Sequence, residues 1–279
     1  AVGPRPIAFA STVNEKGHKN LSPFSFFNVF SASPPILIFA PVLRGRDGSS
    51  KDTLQNVRIN PEVAISIVSH KLVQQMSLSS TEYPSDVNEF VKAGFTESIS
   101  KQILPGFVEE ATVSFECRVN EVKSLGSSGG AGQLVISEVL VMHIDDSILE
   151  DNGKINPYAL DVVGRLGGDW YSRASGESLF KVKKPIKTMG IGVDQLPDHI
   201  RVSSVLTGNH LGILGNVETI PQTVELTNFQ NEPEVRAILD SFDDEENVEL
   251  ELHKLAADLL NEGEVDTAWK VLMINNLDH

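Results

Sequence analysis

Several things are scarce in this chain of 279 residues, and each scarcity excludes something. Cysteine occurs once, at Cys117, so no internal disulfide and no Cys-x-x-Cys metal or redox motif can form. Cys117 lies in the alternating run Val113-Ser114-Phe115-Glu116-Cys117-Arg118-Val119, where a buried structural thiol is expected and a nucleophile is not. Lys and Arg number 23 against 38 Asp and Glu, a formal charge of −15. That balance argues against a nucleic-acid partner, because phosphate backbones are held by concentrated basic side chains. No stretch approaches the ~18 consecutive apolar residues of a membrane span, and no secretory apolar core is visible. These features fit a protein of the reducing cytoplasm that does not engage membranes. A segment upstream of Ala1 is left open.

The seven histidines are scattered, with no spacing that would gather them on a metal. No Ser/His/Asp order, paired carboxylates or HExxH pattern stands out. The acids are unevenly spread. Thirteen of them fall between Glu232 and Asp266, against Arg236 and Lys254, and read most simply as a solvated face.

What the chain does contain is a series of short strands separated by turn signals. Ile7–Val13 is apolar and β-branched, followed by Asn14-Glu15-Lys16-Gly17, a polar hairpin turn ending in Gly. Phe24–Phe30 is dense in aromatics, with Ser25 and Asn28 interspersed, and its apolar side chains are expected in the core. Pro34-Pro35 marks a corner before the strand Ile36–Val42. Asp52–Asn60 reads as a short helix, Glu62–His70 as a strand, and Leu72–Gly94 as two helical pieces broken at Tyr83-Pro84-Ser85. Ala111–Leu125 and Gln133–Ile144 are long strands joined by Gly126-Ser127-Ser128-Gly129-Gly130-Ala131-Gly132. That loop lacks the GxGxxG spacing and the following helix of a dinucleotide fingerprint, so it reads as a hairpin. The mixture argues for an antiparallel barrel carrying helices, an α+β chain that is mainly β.

The strongest local site signal is Arg44-Gly45-Arg46-Asp47-Gly48-Ser49-Ser50-Lys51-Asp52-Thr53, a Gly/Ser loop leading into a helix. Asp52-x-x-Gln55 fits a capping box. Free backbone N–H groups and the positive end of the helix dipole favour an anion there. Lys51 adds charge, and Ser50 and Thr53 add hydroxyl donors. The order GxxxxGK[ST] is absent, so this is not a P-loop. A capped surface helix with loose basic residues is the plainer alternative.

Five elements in order, Pro4-Arg5-Pro6-Ile7-Ala8, the Asn/Gly turn, Ser22-Pro23-Phe24-Ser25-Phe26-Phe27-Asn28, Ser31-Ala32-Ser33-Pro34-Pro35 and Lys51-Asp52-Thr53, resemble the flavin reductase-like proteins. The likeness continues in Glu89-Phe90-x-x-x-Gly94-Phe95, Phe115-Glu116-Cys117, His143-Ile144-x-Asp146 and Arg165-Leu166-Gly167-Gly168-x-x-Tyr171, covering about residues 4–185. The resemblance implies an FMN-binding split β-barrel at 1–185 and an extension at 186–279. It implies FMN as bound cofactor and NADH or NADPH as transient hydride donor. It also implies a homodimer, and it admits an electron-acceptor protein. The matching positions suggest Arg5, Ser25, Phe26, Asn28, Ser31, Arg44, Ser50, Lys51, Asp52 and Thr53 for the cofactor. His143 and Tyr171 are candidates beside the flavin, and no catalytic acid or base is assigned. An FMN electron-transfer protein of the flavoredoxin kind, without its own NAD(P)H site, and a non-enzymatic flavin-binding module are the rivals.

In the extension, Leu206–Asn216 repeats small residues and reads as a packed loop or a lid over a ligand site. Glu234–Phe242, Val248–Leu260 and Val265–Ile274 have helical spacing. The stripe Leu250, Leu252, Leu255, Leu259 and Leu260 is expected to be an intramolecular or subunit-packing face, and the barrel or its dimer mate can provide the surface it covers.

Overall fold

The computed structural model describes residues 2–221, 226, 229–242 and 244–274. They form two compact units, 1–181 and 182–279. The sequence-based boundary near 185 falls in an extended, exposed segment that runs from Lys181 to Met189.

The first unit is built on a seven-stranded sheet in which every pairing is antiparallel. Its members are β2 (Ala8–Val13), β3 (Lys19–Phe24), β4 (Phe27–Ala32), β5 (Pro35–Phe39), β6 (Glu62–Ile67), β9 (Val113–Ser124) and β10 (Gln133–Ile144). The order β3-β2-β6-β9-β10-β5-β4 leaves β3 and β4 as unpaired edges. A second sheet joins β1 (Arg5–Pro6), β11 (Val163–Gly167) and β12 (Trp170–Arg173), and β7 (Glu97–Ser98) pairs with β8 (Phe107–Val108).

β2 is buried along its whole length because both faces are covered. Ala8 and Ala10 join one core with Phe24, Phe39 and Ile65, closed by Leu54 and Val57 of helix α1 (Asp52–Ile59). Phe9, one residue out of phase, joins a second core on the opposite face. That core is completed by Met76 of α2 (Val73–Leu78) and by Phe90 and Ala93 of α3 (Glu89–Ala93). A short helix α4 (Pro157–Leu160) precedes β11. The β9–β10 hairpin is twelve residues per strand, and its Gly-rich tip passes so close to the Arg44–Gly45 backbone that a Cβ at Gly129 would lie 2.9 Å from it. Only glycine permits that approach.

The second unit is helical: α5 (Asp198–Arg201), α6 (Gly208–Leu214), α7 (Pro233–Ser241), α8 (Glu245–Glu262) and α9 (Val265–Met273). Leu252 and Leu260 of the leucine stripe are buried in a core shared with Leu214, Val235, Trp269 and Leu272, and Leu255 and Leu259 pack against it. The stripe therefore packs intramolecularly, against helices of its own unit, the first of the two expected alternatives. The expectation for Leu206–Asn216 is corrected. It holds α6, a helix started by a reciprocal cap between Thr207 and His210, and not a Gly-rich loop.

The Phe24–Phe30 segment departs from expectation too. Phe24 is buried, but Phe26, Val29 and Phe30 are 54, 62 and 65 % exposed. They lie on or just before edge strand β4, where only one neighbouring strand is present to shield them.

Candidate flavin site

Three adjoining recesses lie on the first unit, and shared residues link them. The first has a volume of about 320 Å³ and is walled by Arg5, Phe24, Ser25, Phe26, Lys51, Arg165, Gly167 and Gly168, among others. Strand pairing builds it: β1 lies beside β11 with Arg5 opposite Arg165, so two guanidiniums come to one edge. The Arg5 guanidinium donates to the Val2 carbonyl at 2.7 Å and more weakly to Ser25 Oγ at 3.4 Å. It also sits 5.6 Å from the centre of the Phe26 ring. Arg165 lies over the Tyr171 ring at 4.8 Å and donates to the Tyr171 hydroxyl and the Gly168 carbonyl.

The second recess, about 30 Å³, opens at the first turn of α1 and is lined by Asn20, Arg44, Lys51, Asp52, Thr53, Ser79–Tyr83 and Glu89, among others. Lys51 borders both recesses. Its ammonium lies 5.5 Å from the Phe24 ring centre, and among the described residues no carboxylate pairs with it. Burial, reinforced by the positive charge of Arg44, holds its pKa below the usual lysine value, with Glu82 opposing. A half-buried ammonium in this state gains from an incoming anion. The N–H groups of Asp52 and Thr53 precede the first intrahelical bonds of α1 and are free of them by geometry.

Parts of the anticipated site behave differently. The Asp52/Gln55 capping box does not form. Lys51 occupies the cap position without a side-chain bond, and Gln55 turns to the Ser50 carbonyl at 3.3 Å. The Thr53 hydroxyl is spent on Asn20 Oδ1 at 2.7 Å in a buried network, so Thr53 can serve an anion through its N–H only. Arg44 clamps the loop by donating to the Ser50 carbonyl and pairing with Glu82 at 3.2 Å. Ser50 itself lines none of the three recesses, although the next residue, Lys51, lines two.

Asn28 and Ser31 lie on β4 outside the recesses, and Asn28 Oδ1 accepts from the Val29 N–H. His143 is placed elsewhere as well. It stacks on Phe107 at 4.5 Å and meets Glu116 Oε1 at 2.7 Å. Glu116 is fully buried and also accepts from the N–H groups of Lys101 and Gln102, both at 2.7 Å. Tyr171 does line the third recess, about 670 Å³, with Arg165, Trp170, His70 and Arg173. Arg165, Gly167, Gly168 and the Ser79–Thr81 turn are site residues that sequence reasoning did not single out. The Arg165-Leu166-Gly167-Gly168 segment was the available signal for the first three. Nothing local marks Ser79–Thr81, which tertiary folding brings to α1.

The lining fits a flavin nucleotide. The unpaired Lys51 ammonium and the free N–H groups at the start of α1 suit a phosphate, and the larger neighbour offers the apolar Phe26 face beside two guanidiniums.

The flavin reductase like domain family matches residues 3–159. An uncharacterized protein of Aquifex aeolicus is 37% identical over 181 residues, covering 65% of this chain and 90% of that protein. Among solved structures, nitrilotriacetate monooxygenase component B from Bacillus cereus superposes with a TM-score of 0.60 at 28% identity, covering 65% of this chain and 89% of that one. Flavoredoxin of Desulfovibrio vulgaris superposes at 0.54 with 19% identity over 64% of this chain and 91% of its own, a likeness of fold. The chain belongs to the flavin reductase-like family and has its split-barrel fold, in which β3 and β4 are the open edges. Flavin-based oxidoreduction is the chemistry this membership carries in general.

Proposed function

We propose that the protein binds FMN across the first two recesses and passes hydride from NADH or NADPH through it to an acceptor. The single observation behind this reading is Lys51, a half-buried ammonium without a carboxylate partner among the described residues, at the junction of a small polar recess and a larger, partly aromatic one. The phosphate end would be held by Lys51 and the N–H groups of Asp52 and Thr53. Arg5, Ser25, Phe26 and Arg165 would border the ring end.

FMN, when bound, supplies the hydride-accepting chemistry. The chain's own task is to hold the reactants together and to place charge near the developing anion. Arg5 and Arg165 are the candidates for that charge. Tyr171 holds Arg165 in place. Asn28, Ser31 and His143 enter this reading only if a second subunit completes the site. We further propose a homodimer formed on β4, where Val29 and Phe30, with Phe26 just before the strand, leave apolar side chains exposed on an unpaired edge. A cytoplasmic location accords with the single thiol.

The absorption spectrum of the purified protein tests the reading, followed by release and identification of the flavin. Bands of oxidised flavin and tighter binding of FMN than FAD are expected. Steady-state oxidation of NADH and NADPH with added flavin comes next. Bound FMN without either oxidation would replace the reductase reading by an electron-transfer one. Colourless protein that does not titrate with FMN would overturn both.

A further inference from the structure

The recess assigned to phosphate contains an acid that an anion should avoid. Glu89, at the start of α3, lines it and is 5 % exposed. Its carboxylate accepts from Asn20 Nδ2 at 3.1 Å and from the Leu21 N–H at 3.0 Å. Asn20, held in this orientation, turns Oδ1 to Thr53 and accepts the hydrogen bond of its hydroxyl. The ionised Glu89 thus does two things against an anion: it repels it, and through Asn20 it keeps the Thr53 hydroxyl from donating.

Other charges face this recess from the surrounding elements. Lys51 and Asp52 come from α1, Arg44 and Glu82 from the loops, and Tyr83 completes the wall. Arg44 is paired with Glu82, and Lys92 on α3 lies over the Tyr83 ring at 5.6 Å. Lys51 alone therefore stands against two acids, Asp52 and Glu89.

We propose that Glu89 governs FMN capture, taking a proton from solvent as the phosphate dianion enters beside it. The proposal rests on the FMN reading above. Burial pushes the Glu89 carboxyl above the usual carboxylate range, with Asp52 adding and Leu21 and Asn20 opposing. A dianion nearby moves it further the same way, so binding and protonation favour each other. FMN affinity should fall as pH rises, while riboflavin, which has no phosphate, should not respond.

The test is calorimetric titration of the full-length protein with FMN and with riboflavin, between about pH 6.5 and 8, above the second phosphate pKa of ~6. Two buffers of different ionisation enthalpy count the protons. For the wild type, net proton uptake with FMN and none with riboflavin is expected, and FMN affinity should drop up to tenfold per pH unit. Glu89→Gln should lose the uptake, flatten the profile and bind FMN more tightly at the upper pH. Lys51→Ala should bind more weakly and retain the uptake. Uptake that disappears in Lys51→Ala and persists in Glu89→Gln would assign the proton to Lys51 and overturn the proposal. FMN binding by the wild type without proton uptake would overturn it as well, even if Glu89→Gln fails to fold. Absence of FMN binding by the wild type at any pH would instead overturn the flavin reading itself.

Discussion

At the scale of single residues, Lys51 carries the proposed phosphate contact. Its replacement by Ala removes one charge-assisted contact to a phosphate, worth roughly 1.5–3 kcal/mol. FMN should weaken by that amount in a titration and riboflavin should be nearly unchanged. Equal losses for both would mean that Lys51 acts through folding or the ring end. Glu116 makes a different prediction. Burial opposes its ionisation, but the N–H groups of Lys101 and Gln102 and the imidazole of His143 outweigh it and hold the carboxyl below the usual range. A depressed carboxylate pKa stabilises the fold fully above the unfolded value of ~4.5, and the contribution fades as pH falls through the folded value. Urea midpoints of wild type and Glu116→Gln should therefore diverge at neutral pH and converge in acid. Cys117 is fully buried, and burial together with the Glu116 charge pushes its thiol up to about 12. Its identity as an inert core thiol was legible from the alternation around it. The roles of Thr53 and Asn20 were not, because a hydroxyl in a motif says nothing about which distant acceptor claims it.

Among the elements, long periodic segments were the most readable. The α8–α9 pair follows from leucine spacing and from the break at Gly263, which caps α8 with φ of 89°. α6 is hard to read from sequence because glycine is a poor helix former, and Gly212 in its interior costs ~1 kcal/mol relative to Ala. The Thr207/His210 cap and the burial of Leu214 outweigh that cost, and the burial is a tertiary effect. Trp269 anchors this helical core at 1 % exposure. Its replacement by Ala should cost about 3–5 kcal/mol. The two units have separate cores, so thermal or urea unfolding of Trp269→Ala should show an early transition for the helical unit. The sheet unit should keep its own transition, followed through a bound flavin. A single shifted transition would show that the units unfold together.

For the whole molecule, the prediction concerns the uncovered edge. Val29 and Phe30 lie exposed on β4, and a charge there should disfavour self-association without disturbing a core. The wild type is expected to elute and sediment as a dimer and Val29→Asp as a monomer. Retained dimers would place the interface elsewhere. Removal of residues 182–279 should leave the sheet unit folded, since among the described residues its cores draw on none beyond Tyr171.

The ordered motifs and the strand and helix periodicities determined, by themselves, the family, the antiparallel sheet and the helical character of most of the extension. These are properties of local spacing, which the chain carries whatever its neighbours. Tertiary structure alone decided which aromatics face outward. Phe24 and Phe30 both lie on edge strands, but Phe24 on β3 is buried in the core that α1 closes, whereas Phe30 on β4 is left exposed. It alone decided that the leucine stripe has partners within its own unit. It also brought Arg165, Ser80 and Glu89 to Lys51 across up to more than a hundred residues of chain. Such convergence follows from strand order and helix packing, and no local pattern encodes it.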